Sequence, residues 1–136
     1  MMERMAHSAV VAWLAALVWL ALVGFLMLAP GEGTPVEDIS RAFGGTDVTD
    51  ALGHVVLFGV LIALLAHALG FHVAPGRALG LAAGSAFVLG AVLELTQLAA
   101  VARGATPLDL MANWFGVLVG AAWLRRSAFL VRAGGD

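Results

Sequence analysis

The stretch SAVVAWLAALVWLALVGFLMLA, residues 8–29, contains no charged side chain. A bilayer core about 30 Å thick is crossed by roughly 20 helical residues at 1.5 Å rise each, so this run is long enough to span it. In lipid such a run must be helical, because only then are its backbone N–H and C=O groups satisfied within the segment. Its end, Met27, Leu28, Ala29 and Pro30, offers no small-x-small cleavage site, so it is expected to remain as a span rather than act as a removable signal peptide. Three further apolar runs follow at residues 51–70, 78–100 and 108–124, separated by glycine, proline and charge. The expected fold is an all-α integral membrane protein: one domain over residues 1–136, built as an antiparallel bundle of four transmembrane helices joined by short connections.

Composition agrees. Of 136 residues 62% are hydrophobic and 12% charged, whereas a soluble domain is about half apolar and about a quarter charged. A net charge of −2, with seven arginines and no lysine, leaves no basic face for a nucleic-acid backbone, so nucleic acid is not an expected partner. The absence of cysteine removes disulfides, thiol nucleophiles and thiolate metal sites. No cofactor is expected. A metal site is not expected either, since His54 is the sole histidine at the end where the other polar residues gather.

Arg4, Arg77, Arg125, Arg126 and Arg132 fall on one side of the four spans and Arg41 and Arg103 on the other. The positive-inside rule then puts both termini in the cytoplasm, with Trp123 beside Arg125 and Arg126 as an inner aromatic and basic belt. The long first outer loop is acidic, carrying Glu32, Glu37, Asp38, Asp47 and Asp50 against Arg41. Within it Thr34, Pro35 and Glu37 read as N-cap, first helical position and N3 of a capping box, with Val36, Ile39 and Phe43 at helical spacing. A short interfacial helix is expected there, as an ordered lid without chemistry of its own.

Polar side chains inside hydrocarbon cost a few kcal/mol and are functional candidates by default. They concentrate at the outer ends of three spans: Asp50 and His54 four apart on the second, Glu94 and Gln97 three apart on the third, Asp109 and Asn113 four apart on the fourth, with Arg103 in the loop between. If the third span ends near Ala100, Glu94 lies about 9 Å inside. The expected site is a shallow outer pit, rimmed by Asp50, Arg103 and Asp109 and floored by His54, Gln97, Glu94 and Asn113. Glu94, Arg103 and Asp109 are the catalytic candidates; Asp50, His54, Gln97 and Asn113 are the binding candidates. Each also has a structural alternative. Asp109 completes a helix start with Thr106 and Pro107. Asp50 meets the dipole of its own helix. His54, Gln97 and Asn113 suit interhelical hydrogen bonding, and Glu94 suits an ion pair with Arg103. His7, His67 and His72 fall at the inner helix ends. Gly80 with Gly84, and Gly116 with Gly120, are small-xxx-small pairs expected to pack inside the bundle.

The pattern Asp50, His54, Glu94, Gln97, Arg103, Thr106, Asp109, Asn113 and Gly116 resembles the VanZ-like family of small bacterial membrane proteins, over about residues 49–120. Two positions depart from it: Ala51 stands where the family tends to have lysine, and Phe58 where it tends to have tyrosine. The resemblance implies a multi-pass protein of the bacterial cytoplasmic (inner) membrane with a cell-envelope role, and a link to antibiotic resistance of the teicoplanin-type glycopeptide kind.

Three functions compete. In the first, the outer-leaflet pocket binds a membrane lipid, a lipid-linked precursor or another amphiphilic envelope molecule. Arg103 holds an anionic head group by forked hydrogen bonds, and Glu94 or Asp109 serves as acid or base wherever the molecule is also modified. In the second, the chain is a non-enzymatic accessory subunit docking onto other integral membrane subunits. A transporter ranks last, because the polar residues stop in one half of the membrane.

Overall fold

The structure is a computed structural model that describes residues 2–29, 38, 41–42, 44–99 and 106–133. Four helices account for nearly all of it: α1 (Met2–Leu28), α2 (Asp47–Leu69), α3 (Pro75–Ala99) and α4 (Pro107–Ala133). Each is long and apolar enough to cross a membrane, which makes this a multi-pass membrane protein. α2 and α4 begin before their apolar runs because capping residues, not hydropathy, set those starts. Thr46 caps α2: its hydroxyl accepts from Thr49 N at 3.3 Å while the Thr49 hydroxyl accepts from Thr46 N at 3.0 Å. The residues expected to form the interfacial helix, Thr34 through Ile39 and Phe43, lie outside the described residues except for Asp38.

The bundle turns apolar side chains outward as well as inward. Val18, Val88, Leu95, Leu98 and Met111 are exposed, whereas Glu94, Gln97 and Asn113 are buried. In lipid this costs nothing for the apolar groups and shelters the polar ones. The apolar core joins Val23 and Met27 of α1, Phe58, Leu61 and Ile62 of α2, Ala82, Ala86 and Leu93 of α3 and Val117 of α4. A smaller cluster of Ala12, Ala16 and Ala68 seats α1 on the end of α2.

Tryptophans and a glutamine fasten α1. Trp13 Nε1 donates to His72 Nε2 at 3.0 Å, and Trp19 Nε1 donates to the Leu57 carbonyl at 3.0 Å. Gln97 Nε2 donates to the Met27 carbonyl. That oxygen belongs to the last turn of α1, where carbonyls have no intrahelical partner, so the glutamine completes the helix end.

The closest approach is between α2 and α4. A Cβ built on Gly116 would lie 2.9 Å from Val55 Cα, and one on Gly120 would lie 3.0 Å from the Gly59 oxygen. These two glycines pack inside the bundle as their spacing suggested. Gly80 and Gly84 do not: they are exposed and a Cβ on either meets nothing within 4 Å. The same small-xxx-small spacing thus serves contact on α4 and is left open on α3. Spacing fixes which residues share a face, but the fold decides which face is covered.

Candidate functional site

Three helices bring one polar residue each to a common point. Glu94 follows Gly90 by one turn on α3, and Asn113 precedes Gly116 by one turn on α4. A Cβ on Gly90 would lie 3.3 Å from both Asn113 Cβ and the Phe58 ring. The two glycines therefore let α3 and α4 come close enough to α2 for a short amide to reach both neighbours.

Asn113, with none of its surface exposed, is the centre of the cluster. Its Nδ2 donates to Glu94 Oε1 at 2.9 Å, and its Oδ1 is 2.9 Å from His54 Nδ1. His54 Nδ1 also lies 3.7 Å from Glu94 Oε1. Glu94 is 4% exposed, and the His54 side chain reaches the surface at 12%. With the amide placed this way Asn113 Oδ1 accepts, so His54 Nδ1 carries the hydrogen and the carboxylate end accepts from Nδ2. Turning the amide over gives the complementary pattern, in which Nδ2 donates to a bare Nδ1 and a protonated Glu94 donates to Oδ1. The cluster thus accommodates a proton at either end while every polar contact through Asn113 is kept.

The other expected members fall elsewhere. Gln97 is buried at 5% exposure, but it is committed to the Met27 carbonyl and joins α3 to α1 instead of flooring a pit with His54. Asp109 is half-buried at the start of α4. Its Oδ2 accepts from Thr106 N at 3.0 Å and from Thr106 Oγ1 at 2.8 Å, while Asp109 N donates to Thr106 Oγ1 at 3.3 Å. This reciprocal pattern is a capping box, the structural alternative that the spacing Thr106, Pro107, Asp109 left open. Asp50 sits half-buried one turn before His54 on α2, its N–H bonded to the Thr46 carbonyl at 3.0 Å. Arg103, and with it any pairing to Glu94, lies outside the described residues.

Among the described residues no group of three or more histidine, aspartate or glutamate side chains is arranged to hold a metal ion. Gly90 and Phe58 escaped sequence reading as site residues. Gly90 was legible in principle, since it stands four residues before Glu94 and so on the same face. Comparison with family models, with curated proteins and with solved structures found no match to this chain.

Proposed function

We propose that this chain is a VanZ-like protein of the bacterial cytoplasmic membrane, an antiparallel four-helix bundle with both termini cytoplasmic. An outer-leaflet polar pocket binds a lipid-linked or amphiphilic envelope molecule. The contacts Trp13 to His72 and Gln97 to Met27 support alternating helix directions. The arginine distribution supports the orientation. The observation that carries the function is the buried Glu94–Asn113–His54 cluster, whose histidine reaches the surface. A carboxyl this deep is costly unless it is used or held, and here it is linked through Asn113 to an imidazole that reaches the surface, an arrangement that suits proton transfer to a bound head group. Arg103 supplies the anion-binding group, and Asp50 stands on the same stripe as His54.

The experiment is a comparison of lipid and precursor profiles, by mass spectrometry, in membranes carrying wild type, Glu94→Gln, His54→Gln or Arg103→Ala. The reading requires that the first two variants accumulate an unprocessed amphiphile and that the third loses its retention. Unchanged profiles and retention in all three would overturn it.

A second reading, an accessory subunit without chemistry, draws on the exposed glycines Gly76, Gly80 and Gly84 on one face of α3, where close helix docking has room. On that reading Glu94→Gln combined with Arg103→Gln leaves function intact, since a matched neutral pair replaces a structural one. Gentle detergent extraction then yields a complex. Recovery of the lone protein counts against it.

A further inference from the structure

A concavity lies at the opposite end of the bundle from the Glu94 cluster. It is an open groove of about 610 Å³, walled by Ala63 and His67 of α2 and its C-cap Gly70, Pro75 and Leu79 of α3, and Arg125 of α4. That volume is within the range of about 300–1,000 Å³ typical of small-molecule sites. Its lining is mostly apolar, and its polar groups are concentrated at one end. From Gly70 back to Ala63 the α2 wall rises about 10 Å into the bundle, at 1.5 Å per residue. At the helix-end level Arg125 and His67 face the groove, and the His67 ring is held edge-on to Phe71 with centroids 5.3 Å apart.

The charge at this level is one-sided. Arg77, Arg125 and Arg126 are all exposed there. Among the described residues none of the three has a carboxylate partner. Trp123, 64% exposed two residues before Arg125, marks the same level as the boundary between hydrocarbon and head groups. A groove with an apolar wall running into the membrane and a guanidinium at its mouth matches an amphiphile with an anionic head. Arginine offers such a head a planar fork of donors, and basic pockets between helices at this depth suit acidic head groups.

We propose that this groove binds an acidic phospholipid of the surrounding leaflet, its phosphate held by Arg125 beside His67 and one acyl chain laid along Ala63 and Leu79. The site is separate from the Glu94 cluster and does not depend on the function assigned there. Arg125 supplies the preference for an anionic head, and the apolar wall supplies retention.

The test is native mass spectrometry of the full chain released from detergent. It is titrated with phosphatidylglycerol, with phosphatidylcholine of the same acyl chains, and with inorganic phosphate as a competitor. Wild type should retain phosphatidylglycerol at least about tenfold better than phosphatidylcholine. Arg125→Gln should remove that preference, while Arg126→Gln, which does not line the groove, should keep it. Ala63→Leu, which fills the groove wall, should lower retention of both lipids, and circular dichroism should confirm that each variant is helical. Equal retention of the two lipids by wild type would overturn the proposal. So would an Arg126→Gln loss as large as that of Arg125→Gln, which would indicate a diffuse basic belt. Displacement of phosphatidylglycerol by inorganic phosphate would overturn it too, since the head group alone would then account for binding.

Discussion

Replacing Gly116 by alanine adds one methyl group at the tightest contact between α2 and α4. The new Cβ would stand 2.9 Å from Val55 Cα and 3.0 Å from its carbonyl carbon, both backbone atoms with no rotamer to give way. Ordinary carbon–carbon separations are about 3.5–4.0 Å, so the helices must part by roughly 0.5–1 Å. Val55 follows His54 directly, and Asn113 is one turn before Gly116. The same parting would stretch the 2.9 Å His54–Asn113 contact to roughly 3.4–3.9 Å, at or past the limit of a useful hydrogen bond. Overpacking costs about 1–3 kcal/mol and the lost bond about 0.5–1.5 kcal/mol, which together give a destabilisation of about 1.5–4.5 kcal/mol. Gly80→Ala is the matched control: its Cβ meets nothing within 4 Å, so stability should stay within about 0.5 kcal/mol of wild type or rise slightly through helix propensity. Reversible unfolding of the full chain in mixed micelles, followed by far-ultraviolet circular dichroism, measures both. The His54 ring resonances report the stretched bond. Equal losses for the two variants, or an undisturbed His54 signal in Gly116→Ala, would refute the reasoning.

Three other outcomes follow from the same contacts. Asn113→Ala strips hydrogen bonds from both His54 and Glu94 and should cost about 2–3 kcal/mol in the same unfolding assay, because a buried carboxyl loses its donor. Asp109→Ala and Thr106→Ala should each cost about 1 kcal/mol, and the double variant little more than either alone, because both belong to one capping box. Trp19→Phe removes the bond to the Leu57 carbonyl and should lower stability by about 0.5–1.5 kcal/mol in the same unfolding assay.

The polar cluster was legible only in part. Depth along each span marked Glu94, His54 and Asn113 as exceptional, because in hydrocarbon any polar side chain stands out against its surroundings. Which of them would meet was not legible, because that depends on how each helix is rotated about its axis, and the apolar faces are nearly uniform all round. Gln97 shows the difference. It shares the buried side of α3 with Glu94, yet it is drawn to the unsatisfied carbonyl of Met27 on a different helix. Asp109 shows the opposite case: the capping-box alternative needed only its local spacing to Thr106, and a contact three residues long is written in the sequence.

Sequence by itself determined the class, the number of membrane-crossing helices and the layer in which polar groups gather, because bilayer thickness and the cost of unsatisfied backbone act on each segment separately. Tertiary structure decided that Asn113 bridges His54 and Glu94, that Gly116 and Gly120 are packed while Gly80 and Gly84 are open, and that a groove forms beside Arg125 at the other end. These are properties of how three helices approach one another, and that approach is set by small residues on facing surfaces. No single segment carries the information.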